Sequence, residues 1–205
     1  EQACRANGGR TRVIVELGST SVSVSSKLAS LAVDFSATLA IVEPRESVRR
    51  TLELAFEQHA HVSVIEPKAL ADLRGIDVIV AAGLESQAVL VADDSLRSAV
   101  RGAAARGAAF LFVDRAPSAF NDFAFGLSDD WFAASQSPEF PVGRLATTEQ
   151  VTDLLTGLGF AAPLVEEKGV AEGLLIVAGA SSAAADQLQA LPSIPSALVF
   201  AEDVA

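Results

Sequence analysis

Short unbroken apolar runs alternate along this chain with segments whose apolar positions fall three and four apart. Residues 11–18 (TRVIVELG) read as a buried strand. Ser21 to Leu31 follows as a helix with Val24, Leu28 and Leu31 on one face. Its serines at 21, 23, 25, 26 and 30 weaken it, because their hydroxyls compete for local backbone groups. Residues 37–42 (ATLAIV) are a second strand. The spacing of Val48, Leu52, Ala55 and Phe56 predicts a helix from Pro44 to Gln58, with Arg45, Glu46, Arg49, Arg50, Glu53 and Glu57 on its polar side. A third strand covers 61–65, a brief helix 68–73 and a fourth strand 76–82. Asp93 or Asp94 caps the next helix, which turns Leu96, Ala99, Val100 and Ala103 inward and stops at Gly107. Residues 108–113 (AAFLFV) are a fifth strand. Continuous apolar strands alternating with helices predict an α/β fold, a parallel sheet covered on both faces.

Residues 115–146 interrupt that rhythm with Phe120, Phe123, Phe125, Trp131, Phe132 and Phe140, an aromatic segment laid over the sheet edge. Thr147 and Gln150 have the spacing of a capping box, opening a helix with Val151, Leu154, Leu155 and Leu158. Residues 163–167 and 173–178 are two strands separated by too short a loop for a crossover. They predict a C-terminal antiparallel hairpin. Residues 1–10 read as a linker.

Composition narrows the class of partner. Half of the 205 residues are hydrophobic, enough for one globular domain. The net charge of −11 repels nucleic-acid phosphate and anionic lipid, so neither is an expected partner. A lone cysteine, Cys4, excludes an internal disulfide and a cysteine-based zinc site, and no metal site is expected. No apolar run is long enough to span a membrane, and the chain reads as cytoplasmic. It contains no Met and opens at Glu1, which reads as a fragment of a longer protein.

The candidate chemistry lies where the first strand ends. In nucleotide-binding α/β folds the cofactor sits at this turn, against the start of the following helix. A binding version carries acid-x-Gly-x-Gly-x-Gly. Here Glu16 and Gly18 are present, while Thr20 and Val22 replace the second and third glycines. A β-branched residue is poorly suited to positive φ, so both positions are expected to be strained or to reject a ligand. A strand-to-helix turn with no ligand at all is the competing reading. Glu43, ending the second strand, stands where an acid accepts hydrogen bonds from a ribose.

The order of elements, five βα steps and then a hairpin, resembles the class I S-adenosylmethionine (SAM) methyltransferases, a Rossmann-like sandwich. The segment Phe123-Ala124-Phe125-Gly126-Leu127-Ser128-Asp129-Asp130-Trp131-Phe132 is similar to the FGL-x-x-x-W-aromatic stretch of polyketide synthase C-methyltransferase domains. It is similar also to the non-catalytic methyltransferase relic of animal-type fatty acid synthases. Ser196 to Asp203 resembles the first strand of a ketoreductase structural half. The implied division is a linker over 1–10, a methyltransferase-like domain over 11–180, and a linker with the start of a ketoreductase-like subdomain over 181–205.

The resemblance implies a vestigial SAM site at Glu16, Gly18, Glu43 and Glu66, the last where such enzymes hold the adenine amino group. It also implies a histidine base after the fifth strand. Asp114 to Gly126 contains none, and the only histidines, His59 and His61, flank the third strand. Asp114, Asp122, Asp129 and Asp130 are the remaining carboxylates there, with solvation the ordinary reading. No catalytic residue is therefore assigned and no cofactor is expected. The implied function is an architectural pseudo-methyltransferase beside ketoreductase and dehydratase domains, with acyl carrier protein a further candidate partner. The alternatives are an active C-methyltransferase, using SAM on the α-carbon of a β-ketoacyl carrier-protein substrate, and a nucleotide-binding regulatory module.

Overall fold

A computed structural model describes residues 12–19, 21–82, 90, 93–115, 123, 145–168 and 173–179. The expected linker over 1–10, Thr20, most of the aromatic segment including Trp131, and the ketoreductase-like tail lie outside the described residues.

The described elements are β1 (Arg12–Leu17), α1 (Val22–Asp34), β2 (Ala37–Val42), α2 (Glu46–Phe56), β3 (Val62–Ile65), a 3-10 turn (Pro67–Asp72), β4 (Ile76–Ala82), α3 (Asp94–Ala105), β5 (Ala109–Arg115), α4 (Thr148–Gly157), β6 (Ala161–Lys168) and β7 (Gly173–Gly179). They form one seven-stranded sheet in the order β3-β2-β1-β4-β5-β7-β6. The first five strands are mutually parallel, and β7 runs antiparallel to both neighbours. The predicted hairpin is present, and its second strand is wedged inside the sheet.

Strand alternation distributes the core between two layers. Ile14, Leu39, Ile41, Val78 and Val80 pack under α1 and α2 against Ala29, Ala32, Leu52 and Phe56. Val13, Val15, Leu17, Val42, Ile79, Phe110 and Phe112 point the other way, toward Leu96, Val100 and Ala103 of α3 and Val151 and Leu155 of α4. Both faces are thus apolar, as buried parallel strands require. Phe160, just before β6, meets Phe110 edge to face with ring centroids 5.2 Å apart, which ties α4 and the hairpin to the parallel half.

Several boundaries shift for local reasons. Helix α1 extends to Asp34 despite its serines, because Ser21 serves as its N-cap and Ser25 points into the core. Helix α2 begins at Glu46 rather than Pro44: the Arg45 backbone N–H is donated to the Glu43 carboxylate at 2.9 Å, which holds Arg45 extended. Asp93, not Asp94, caps α3, accepting from the N–H groups of Ser95 and Leu96. Strand β5 runs on to Arg115 because β7 pairs with it that far.

Register sets up the site. Leu17 lies opposite Val42 and Ala81, and Val42 lies opposite Ile65. The parallel strands therefore end level, and Gly18, Glu43 and Glu66 are each the first residue beyond them. The strand order reverses at β1, between β2 and β4. That reversal is the switch point where open α/β sheets form a ligand crevice.

Candidate functional site at the ends of the first two strands

Gly18 leaves β1 with φ of 62°, a left-handed conformation that glycine adopts without steric cost, while its N–H still continues the ladder to the Val42 carbonyl at 2.9 Å. The turn is the one the sequence predicts at this glycine. Val22 departs from expectation. It is the first residue of α1, and among the described residues Ser36 alone has positive φ without being glycine. The backbone strain expected at Val22 is absent, because a helix N-terminus takes a β-branched residue in ordinary helical geometry. Val22 instead presents a partly exposed side chain beside the turn.

Two buried carboxylates hold the turn and the strand ends together. Glu16 is almost completely enclosed, and Oε1 accepts from Ser25 Oγ at 3.0 Å. Ser25 Oγ is also 3.0 Å from Ser19 Oγ, so the turn, the helix and the strand share one hydroxyl chain. Oε2 of Glu16 has no partner among the described residues. Burial pushes this carboxyl up to about 7, the Ser25 hydrogen bond opposes the rise, and the nearby Glu43 charge adds to it.

Glu43 is equally buried but fully satisfied. Oε1 accepts from the backbone N–H of Arg45 at 2.9 Å and from Arg45 Nε at 2.7 Å. Oε2 accepts from Ser19 N–H at 3.2 Å and from Arg45 Nη2 at 3.0 Å. The guanidinium grips the carboxylate as a planar fork, the strongest common form of this contact. Arg45 Nη2 reaches on to the Ser19 carbonyl at 3.2 Å, so one side chain closes β2 onto the β1 turn.

Glu66 stands apart. Its side chain is 62% exposed and pairs with Arg49 Nη2 at 3.2 Å. Arg49 in turn donates to the carbonyls of Glu43 and Pro44. With Glu46, Arg50, Glu53 and Val64, these two residues line a shallow outer groove of about 260 Å³ between α2 and the edge strand. The structure thus brings Glu16, Gly18 and Glu43 together, and leaves Glu66 at the periphery.

Ser25 and Arg45 are the site residues the sequence did not announce. Ser25 reads as a helix-weakening serine and Arg45 as part of a charged face. The one available signal for Arg45 is its place two residues after a strand-end acid of opposite charge.

The histidines lie elsewhere. His61 Nε2 is 3.2 Å from the Ala29 carbonyl at the start of β3, and His59 packs edge-on between Phe56 and His61. This is the opposite end of the sheet from the level strand termini. Asp114 is inside β5, opposite Leu174. Asp122, Asp129 and Asp130 lie outside the described residues. Among the described residues no cluster of His, Cys, Asp or Glu could hold a metal ion, and no helix is long and apolar enough to cross a membrane.

These residues can be tested against SAM. The Gly18 turn and the two acids are where a nucleoside cofactor would need them. The Glu43 carboxylate, however, already has two donors on each oxygen and offers no free acceptor to a ribose diol. In this arrangement the ribose half of SAM does not fit.

No protein-family model matches the chain, and no curated protein matches it in sequence. Its fold is nevertheless shared with solved methyltransferases. It is similar to the CurJ carbon methyltransferase (TM-score 0.61, 19% identity, covering 87% of this chain and 50% of that one). It is likewise similar to the citrinin polyketide synthase CMeT domain (TM-score 0.62, 17% identity, covering 85% and 48%). A SAM-dependent methyltransferase from Aquifex aeolicus matches at TM-score 0.57 and 12% identity, covering 84% of this chain and 85% of its own. The chain spans about half the length of the first two. The fold is that of the class I SAM methyltransferases, and similar structures include carbon-methyltransferase domains of polyketide synthases.

Proposed function

We propose that this chain is a methyltransferase-fold domain of a multidomain polyketide or animal-type fatty acid synthase that no longer catalyses methyl transfer and serves an architectural role. The observation that carries the reading is the location of the histidines. Carbon methylation between two carbonyls needs a general base within hydrogen-bond reach of the departing proton. The chain has only two histidines, and both sit at the start of β3, at the end of the sheet away from the switch point. The saturated Glu43 points the same way, since it leaves the ribose without its acceptor.

In this reading the domain fills and orients space beside ketoreductase and dehydratase neighbours in the cytoplasm. Phe123, 85% exposed, is an apolar side chain open to such a neighbour. The test is direct. The chain is incubated with methyl-labelled SAM and a β-ketoacyl thioester, and label in the acyl product is counted; none above the protein-free control is expected. Labelled product formed in proportion to protein would establish an active C-methyltransferase and overturn the architectural reading.

A further inference from the structure

We propose that the Arg45 guanidinium is a built-in occupant of the ribose place on Glu43, and that this one side chain keeps nucleosides out of the switch-point crevice. The inference deepens the non-catalytic reading and rests on it. A ribose 2′,3′-diol offers a carboxylate two adjacent hydroxyl donors. Arg45 offers two adjacent N–H donors from a rigid fork, Nε to Oε1 at 2.7 Å and Nη2 to Oε2 at 3.0 Å. The two groups satisfy the same acceptors and cannot both be present. The arginine is also tethered: its backbone N–H holds Oε1, and Nη2 holds the Ser19 carbonyl. An intramolecular donor with its backbone already fixed competes at high effective concentration.

Arg45 is the solvent-side member of the pair, its side chain 40% exposed over a carboxylate that is 0% exposed. Removing its side chain therefore opens the carboxylate toward solvent. The change leaves one backbone donor on each oxygen, from Ser19 and from position 45, which keeps Glu43 in place and frees acceptor capacity on both oxygens.

Adenosine is the appropriate probe. It carries the diol that would meet Glu43 and the base, without the amino-acid arm of SAM. The experiment is calorimetric titration of adenosine into the full chain, into Arg45→Ala, and into Arg45→Gln, which retains part of the stem should the alanine variant fold poorly. Circular dichroism and a cooperative melt establish folding first. The folded Arg45 variants are expected to bind adenosine at least tenfold more tightly than the unmodified chain. Adding Glu43→Gln should remove that gain. The proposal is overturned if a folded Arg45 variant binds no more tightly than the unmodified chain, or if the gain survives Glu43→Gln. Methyl transfer by the unmodified chain would instead defeat the architectural reading, whatever the Arg45 variants do.

Discussion

Glu16 and Glu43 are both buried acids at strand ends, yet they differ in how their charge is met. Glu43 is matched by a guanidinium, whereas Glu16 has one serine hydroxyl and a neighbouring negative charge. Its carboxyl rises from 4.5 to about 7, so the folded state holds a proton that the unfolded chain has released. Stability from this group is fully present below pH 4.5. It falls as pH rises toward 7 and levels off above that, by about 3 kcal/mol in total. Glu16→Gln cannot ionise. Its stability relative to the unmodified chain should improve by about that amount between pH 4.5 and 8, measured by urea unfolding at each pH. A difference that stays flat across this range would mean that Glu16 titrates normally. That Glu16, Gly18 and Glu43 come together was legible because a strand end fixes their place along the sheet. Ser25 and Arg45 were not, since their roles depend on which way a helix face and a two-residue linker turn after folding. Val22 misled for the converse reason: its position in a glycine pattern suggested a turn conformation, but the helix had already begun there.

Most elements could be read from periodicity, and β2 and β4 match residue for residue because predominantly apolar runs bounded by polar or glycine residues have sharp ends. Helix ends were less legible, being decided by single side-chain hydrogen bonds such as Glu43 to the Arg45 N–H. The capping box at Thr147 is an exception in which the cap itself is a sequence pattern. Thr147 Oγ1 accepts from Gln150 N–H at 3.2 Å, and Gln150 Oε1 accepts from Thr147 N–H at 2.9 Å. Thr147→Ala should cost about 1 kcal/mol. A thermal melt showing no decrease would indicate that packing against α3 and the sheet, rather than the cap, holds α4. The same logic applies where α3 ends. Gly107 has φ of 95° with open space where a Cβ would go. Gly107→Ala is thus opposed by backbone conformation alone and should cost about 1–2 kcal/mol, with Gly107→Asn cheaper. Equal stabilities for the two variants would count against that cause.

At the level of the molecule, the hairpin joins the parallel half through the pairing of β7 with β5, and Phe160, just before β6, packs on Phe110 of β5. Phe160→Ala should cost about 3–5 kcal/mol, read as a lower urea midpoint with an unchanged slope. A loss confined to the hairpin, seen as a second transition, would show instead that the two parts unfold separately. The architecture was legible from the order of elements, while the position of β7 inside the sheet was not, because strand order is set by long-range pairing that no local pattern encodes. That position has a consequence in time. During synthesis β5 emerges with its outer edge unpaired, and the strand that covers it starts 58 residues later, from Arg115 to Gly173. At ordinary rates of translation that is a wait of about 3–12 s. For those seconds the nascent chain carries an open row of backbone donors and acceptors along its most aromatic strand, the kind of edge on which a neighbouring copy can pair. Whatever shields that edge on the ribosome, a chaperone or the still-unplaced segment between, does so before the domain has its own means of closing it.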